Sequence, residues 1–311
     1  MGRARGANAK LAAAFESTYG TPPLSGFMGM PFVSSNLGAE QPLLESDLLG
    51  AGRESYDPTY DVVSNDGDVV VPVDVRYIGH WLKLLLGAPS TTGTDPYTHD
   101  FTSGAASLPS MSIETQMPDT PAYAMGYGLK ANQMKIQMQR RGLLNATFSL
   151  VGKGENAPKA TADAGTLATA LVMSRFAQAT GEIKRQGTKL GSIVSADFGF
   201  TNNLDKIETI QPDGEIEGAD GGTAMATGSL VARFDSLTLA QDATNQAPVA
   251  LSWSWTLGSY SLELACPRVF LPRVKRPITG PGGVQATFNW QASGDGAPAL
   301  TATLINDVDA Y

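Results

Sequence analysis

The stretch Gln133-Met134-Lys135-Ile136-Gln137-Met138-Gln139 alternates strictly between polar and apolar side chains. A second stretch, Leu251-Ser252-Trp253-Ser254-Trp255-Thr256-Leu257, alternates in the same way, with Leu and Trp opposed to Ser and Thr. Successive side chains of a β-strand point to opposite faces, so a period of two predicts antiparallel strands with one buried and one solvated face. Because the pattern occurs in both halves of the chain, it predicts two related β units.

Each alternating stretch is followed by a short turn and a second alternating segment. Residues 144–150 follow Arg140-Arg141-Gly142, and residues 260–266 follow Gly258-Ser259. Two alternating runs separated by a few turn residues predict β-hairpins. Further strands are predicted at residues 69–75, 193–200, 228–234, 284–291 and 300–304.

One segment, residues 76–86, carries apolar residues at helical spacing, and Gly87 and Pro89 follow it as stop signals. The sequence therefore predicts a short helix that packs against a sheet. Composition divides the whole chain into four regions. These are a flexible arm over residues 1–29, a first β unit over 30–155, a linker or crossover over 156–180 and a second β unit over 181–311.

The bulk composition limits the classes of partner. Charged residues make up 17% of the 311 residues, whereas about 25% is usual in globular domains. This deficit suggests that part of the surface is buried against copies of the same chain. The net charge of −8 argues against a protein that grips DNA, because phosphate binding depends on Lys and Arg.

Residue types that carry enzyme chemistry are scarce. The chain has two histidines, His80 beside a predicted helix and His99 in a polar loop, and its single cysteine, Cys266, lies on an apolar strand face. There is no Gly-x-Ser-x-Gly motif and no phosphate-binding loop. We therefore expect no catalytic residues, no cofactor site and no metal site, and we expect Cys266 to be a buried free thiol.

No apolar segment is long enough for a membrane-spanning helix, and the N-terminus does not resemble an export signal because Glu16 interrupts its apolar run. Two alternatives remain at this stage. Strand alternation also fits an outer-membrane β-barrel. Trp253 and Trp255 could form a stacking platform in an adhesin or carbohydrate-binding β-sandwich, although their alternation with Ser indicates the buried core.

The polar faces of the predicted strands are lined by Gln, Asn, Ser and Thr with few charges. An ordinary solvent-exposed face is one interpretation. The other is a wall that must be wetted without adhering to what passes it.

Several short motifs resemble one known family. They are Phe15-Glu16-Ser17-Thr18-Tyr19-Gly20-Thr21-Pro22, Glu45-Ser46 with Arg53 downstream, Tyr97-Thr98-His99-Asp100-Phe101, Leu108-Pro109-Ser110-Met111-Ser112-Ile113-Glu114 and Leu304-Ile305-Asn306. In their order along the chain they are similar to segments of the tail tube (major tail) proteins of long-tailed, non-contractile bacteriophages.

This resemblance implies a mainly β fold of two antiparallel β-sandwich or half-barrel units with a short flanking helix, whose long hairpins complete a barrel between subunits. It implies a structural subunit of the virion tail, assembled in the host cytoplasm into stacked rings whose acidic and polar lumen conducts DNA during ejection. Two units per chain favour a ring of three chains with pseudo-sixfold symmetry; six chains are the alternative. The implied partners are further copies, the tail terminator, the tape measure and the distal tail proteins, with no membrane. The candidate lumen-lining residues are Gln133, Lys135, Gln137, Gln139, Asn145, Thr147, Ser252, Ser254 and Thr256.

Overall fold

A computed structural model describes residues 3–50, 52–278 and 280–311, and the described chain is mainly antiparallel β-sheet. In the first half the strands are β1 (Lys10–Phe15), β2 (Met28–Met30), β3 (Ser34–Ser35), β4 (Gly38–Glu40), β5 (Leu43–Leu44), β6 (Thr59–Tyr60), β7 (Ser64–Pro72), β8 (Ser90–Gly93), β9 (Tyr97–Thr102), β10 (Met111–Met117), β11 (Ala122–Gln139), β12 (Asn145–Gly152) and β13 (Gly154–Glu155). In the second half they are β14 (Glu182–Arg185), β15 (Thr188–Lys189), β16 (Ile193–Thr201), β17 (Asp205–Ile207), β18 (Gly218–Asp220), β19 (Met225–Arg233), β20 (Val249–Leu257), β21 (Tyr260–Phe270), β22 (Gln285–Ala292) and β23 (Thr301–Asn306).

The predicted helix is confirmed as α1 (Ile78–Leu86). The buried carboxylate of Asp74 accepts hydrogen bonds from the backbone N–H groups of Arg76, Tyr77 and Ile78, which satisfies the free donors at the helix start. A second helix, α2 (Thr238–Asn245), was not predicted. Single-turn 3-10 helices occupy Gly6–Asn8 and Gln178–Thr180.

The largest continuous ladder, here called the first sheet, begins with β3 and β4 and continues through β7, β12, β11, β16, β19 and β22. Its central strands carry the alternation seen in the sequence, and both predicted hairpins form. Within residues 133–139 of β11 the buried residues are Met134, Ile136 and Met138. Pro72, which cannot donate to a ladder, is the last residue of β7.

A second sheet packs on the apolar face of the first. It contains β15, β14, β20, β21, β23, β9 and β8, and it joins the first sheet through a short pairing of β21 with β22. Trp253 of β20 and Trp290 of β22 lie 4.8 Å apart between the sheets, and Phe198 of β16 contacts both. The prediction that Trp253 and Trp255 are core residues is confirmed, since both are almost fully buried.

Helix α1 lies at one end of this core. The Trp81 ring stacks on Phe148 of β12 at 5.2 Å, and Asn202 donates to the Leu85 carbonyl. Tyr311 lies over Gly79, donates to the carbonyl of Arg76 and accepts a hydrogen bond from Asn306. The C-terminal segment therefore fixes α1 in place.

Two predictions need correction. The segment predicted as a flexible arm contains β1, which pairs with β10 and β2 and buries Leu11, Ala12 and Ala13. This short run of small apolar residues lacks strict alternation because both of its faces are covered. His99 lies in β9 rather than in a loop, and it is fully buried.

The two halves of the chain repeat one order of elements. In the first half, β3 and β4 precede the small β5–β6 hairpin, β7, α1 and later β11 and β12; in the second, β16 precedes the β17–β18 hairpin, β19, α2 and later β21 and β22. The pairings β4–β7 and β7–β12 correspond to β16–β19 and β19–β22. Strands from both halves also pair with each other, so the boundary over residues 156–180 stays a prediction.

Candidate functional site

The outer surface of the first sheet is a broad polar face, here called the polar face. Register places Thr147, Lys135, Gly199 and Thr227 in one row across β12, β11, β16 and β19. This row continues onto β22 at Gln291, and neighbouring rows contribute Asp197, Ser229, Asn289, Thr287 and Gln285. Because alternate residues share a face, amide and hydroxyl groups line most of this surface.

Six of the nine candidate lumen residues lie together on this face. They are Gln133, Lys135, Gln137 and Gln139 on β11 with Asn145 and Thr147 on β12. The other three, Ser252, Ser254 and Thr256, lie on β20, on the outer surface of the second sheet. The two sets are separated by the core, so they belong to different surfaces of the subunit.

The polar face is concave near the β11–β12 hairpin. A groove of about 690 Å³ there is lined by Gln133, Lys135, Gln137, Asn145 and Thr147, among others. Carboxylates and cations are both sparse on the face. Asp197 accepts a hydrogen bond from Ser229 at 2.9 Å. The face is therefore polar rather than strongly acidic, and most of the negative charge of the chain lies elsewhere.

Residues of the predicted linker support this face, and the sequence patterns did not identify them. The side-chain amide of Gln178 donates to the Gln137 carbonyl at 2.8 Å, and its oxygen accepts from the Gln139 N–H at 3.1 Å. The guanidinium of Arg175 donates to the Asn145 side chain at 2.6 Å. Gln178 thus takes the place of a neighbouring strand where β12 no longer pairs with β11.

The edges of the first sheet are open in the described chain. At one edge β3 and β4 pair with β7. At the other, β22 pairs with β19 along its length and with β21 only at Gln291 and Ala292. An open edge presents unpaired backbone N–H and C=O groups that can accept a strand from another chain.

Between these edges, β11 and β16 join the two halves of the chain. Seven residue pairs, from Gln133↔Thr201 to Gln139↔Ser195, form this antiparallel ladder. The loop between β17 and β18 crosses the same junction. There, Tyr127 donates a hydrogen bond to the carboxylate of Glu215, which also lies 3.7 Å from the Lys153 ammonium.

The cysteine and both histidines are buried in the core, where they contribute to packing. Burial raises the pKa of the Cys266 thiol to about 12 and lowers the pKa of His80 to about 4, with Lys83 adding to the second effect. His99 is held by Thr91, Asn306 and the Val308 carbonyl. Among the described residues, no cluster of His, Cys, Asp or Glu has the arrangement of a metal site. The prediction of a buried free thiol is confirmed.

Comparison with known proteins agrees with a surface that is built for self-assembly, namely the polar face with its two open sheet edges. The profile of the phage tail tube protein family matches residues 6–292. This chain belongs to the phage tail tube protein family. The match spans both halves and includes the polar face and both open edges of the first sheet.

A search of curated proteins found no significant match to this tail tube protein. None of the helices in the described residues is both long and apolar enough to cross a membrane. As a member of a structural family, the protein is a component of the virion tail, and the family points to a non-enzymatic role.

Proposed function

We propose that this tail tube protein assembles into rings of three chains, that the rings stack into a tube, and that DNA passes through the tube during ejection. The observation that carries the proposal is the polar face bounded by two open sheet edges. Joining the open edge of one chain to that of the next removes both edges and continues the sheet around a central channel. The polar face then lines the channel.

The number of strands favours three chains over six. Each half supplies four strand positions, β4–β7–β12–β11 and β16–β19–β22–β21. With strands about 4.8 Å apart and tilted by about 40°, three chains give a barrel about 50 Å across at the backbone, and six give about twice that. The smaller barrel already admits a DNA duplex once side chains are allowed for.

The composition of the polar face suits passage of DNA. Gln, Asn, Ser and Thr side chains keep the wall hydrated, and the scarcity of Lys and Arg avoids the counterion-releasing contacts that make phosphate binding strong. The net charge of −8 per chain, multiplied around a ring, adds a general repulsion. In this arrangement Ser252, Ser254 and Thr256 face away from the channel.

A tail tube also requires other tail proteins as partners. The tube would end against a tail terminator and a distal tail protein, and it would enclose the tape measure protein, with assembly in the host cytoplasm. A carbohydrate-binding role has little support, because Trp253 and Trp255 are 1% and 0% exposed and cannot stack on a sugar without unfolding the core.

The test combines imaging with chemical labelling. Purified protein is expected to form rings or tubes with threefold symmetry and a central channel by cryo-electron microscopy. A cysteine placed at Gln137 should be shielded from a bulky maleimide–polyethylene glycol reagent in assembled tubes, whereas one at Ser254 should react. The native thiol of Cys266 is buried and should not react with the reagent. Monomers alone at high concentration, or equal labelling at both positions in tubes, would overturn the proposal.

A further inference from the structure

A run of basic residues follows β21, the strand that pairs with only the end of β22. Between Glu263 and Asp295 the sequence has no carboxylate, but it has Arg268, Arg273, Lys275 and Arg276. Residues 271–278, here called the basic segment, follow β21 without forming a strand. Among the described residues, no carboxylate lies within ion-pair distance of Arg273, Lys275 or Arg276.

The pairing along β22 stops where this segment begins. The β21–β22 ladder ends at Phe270↔Gln291, and the basic segment follows β21 directly. A groove of about 740 Å³ is lined by Phe270, Pro272 and Gln291 near this point, and it extends across β19 to Asp197 on the polar face. In the first half, the corresponding place beside β12 is filled by the second part of β11.

The opposite edge of the sheet carries the complementary charge. Residues 40–68, here called the acidic segment, contain eight Asp and Glu residues and a single base, Arg53. Its β5–β6 hairpin also exposes large apolar side chains: Leu49 is 95% exposed, Leu48 66% and Tyr60 72%. Exposed apolar side chains rimmed by polar residues mark a protein interaction site, and the surrounding carboxylates would select a basic partner surface.

The junction inside the chain shows how such surfaces meet. The β17–β18 hairpin of the second half corresponds to the β5–β6 hairpin of the first, and it contacts Lys130 and Lys153 of the preceding half, while its own Lys206 pairs with Asp66 at 2.8 Å. Glu215 approaches Lys153, and the Lys130 ammonium donates to the Ala219 carbonyl at 2.6 Å. Thus the hairpin after the first strand of the second half contacts cations on and beside the last strands of the first half, with ion pairs of both polarities.

We infer that the same contact forms between chains: the acidic segment of one copy docks on the basic segment of its lateral neighbour within a ring. This inference rests on the proposed function. Each exposed ion pair contributes little binding energy by itself. An acidic surface that faces a basic one nevertheless favours the correct partner and accelerates association. The apolar side chains of the β5–β6 hairpin become buried in the contact. Ring formation should therefore weaken as salt screens the charges.

The test uses charge reversal in the full chain. A basic-reversed variant carries Arg273→Glu, Lys275→Glu and Arg276→Glu, and an acidic-reversed variant carries Glu45→Lys, Asp47→Lys and Asp57→Lys. Each is expected to lower the assembled fraction at least tenfold in 0.1 M salt, measured by sedimentation and negative-stain microscopy. The double variant with both reversals restores every junction and should assemble. A matched control for the basic-reversed variant, Arg3→Glu, Arg5→Glu and Lys10→Glu, changes the net charge by the same amount at other exposed positions and should assemble as wild type.

An equal mixture of the two singly reversed variants gives a further test. Complementary junctions then require strict alternation of the variants, which an odd ring of three cannot satisfy but a ring of six can. The mixture should therefore give open fragments rather than closed three-chain rings.

Four outcomes would overturn the inference. The first two are assembly of both singly reversed variants, and no assembly of the double variant although circular dichroism shows it folded. The other two are no assembly of the control, and single variants that form rings which do not stack. The last would place the contact between rings. If the wild-type chain forms no rings at all, the proposed function fails instead.

Discussion

The phenolic hydroxyl of Tyr127 donates a hydrogen bond to the carboxylate of Glu215, and this bond links the two halves of the chain. Tyr127 lies on β11 in the first half, and Glu215 lies between β17 and β18 in the second. Burial, and then the bond itself, raises the pKa of the Tyr127 hydroxyl above its ordinary value. The bond is therefore present at neutral pH. Its contribution is complete below the ordinary tyrosine pKa and decreases as the pH rises from there towards the raised pKa of the folded state.

Replacing Tyr127 with Phe should lower the free energy of unfolding by about 1 kcal/mol, because a partly exposed hydrogen bond to a charged group is lost. Urea denaturation at pH 7 measures the change. Tyr60→Phe, at a position that is 72% exposed, is the matched control and should leave stability unchanged. Equal effects of the two substitutions would mean that the junction does not depend on this bond.

Gly79 and Tyr311 are expected to show a reversal of sign in a double-mutant cycle. A Cβ at position 79 would clash with the Tyr311 ring, so Gly79→Ala should destabilise the wild type by about 1–3 kcal/mol through overpacking. In a Tyr311→Ala background the same change should stabilise α1 by about 0.5 kcal/mol, because Ala is a better helix former than Gly. Thermal or urea unfolding of the four proteins gives both numbers. Destabilisation of the same size in both backgrounds would contradict the contact.

His80 should make the protein less stable in acid. Its folded pKa of about 4 lies below the ordinary 6.5, so the unfolded chain binds more protons between these values. The penalty is absent above pH 6.5, grows as the pH falls towards 4 and reaches about 3 kcal/mol. Unfolding free energies at pH 7.5, 6 and 5 should fall less steeply in His80→Gln than in wild type. Parallel curves for the two proteins would refute this assignment.

Gln178 should protect the end of β11. Its amide pairs with the backbone of Gln137 and Gln139, so Gln178→Ala should increase amide exchange at Gln139 about tenfold, which corresponds to the loss of about one hydrogen bond. Hydrogen exchange read by NMR measures this locally. Substitution of the exposed Gln186 is the control, and unchanged exchange at Gln139 in the Gln178 variant would argue against the capping role.

The sequence predicted those parts of the fold in which one periodicity decides the structure. Alternation in residues 133–139 and 251–257 predicted strands, hairpins and their buried faces, because a strand with one solvated face must alternate. It did not predict β1, where Leu11, Ala12 and Ala13 are all buried and no alternation is required. Helix α2 was missed because Leu239 is its single large apolar residue, and one such residue cannot mark a helical period.

The candidate site was predicted only in part, for a related physical reason. Polar alternation identifies which residues face outward from a strand, and it therefore located Gln137 and Ser254 equally well. It does not say which sheet a strand joins, and the structure places these two residues on opposite surfaces. Supporting residues such as Gln178, at the start of a single 3-10 turn, act through long-range contacts that a local sequence pattern does not predict.

The indole rings of Trp253 and Trp290 come from different sheets and lie 4.8 Å apart, tilted by 30°. Two indoles this close couple their electronic transitions, so the pair provides an intrinsic optical signal of sheet-on-sheet packing that is separate from strand formation itself. A state that keeps its strands but loosens its interior would lose this near-ultraviolet signature while its far-ultraviolet spectrum stayed intact. Near-ultraviolet circular dichroism of this tryptophan pair can therefore report, without a label, whether the packing of the interior changes when copies of the chain assemble.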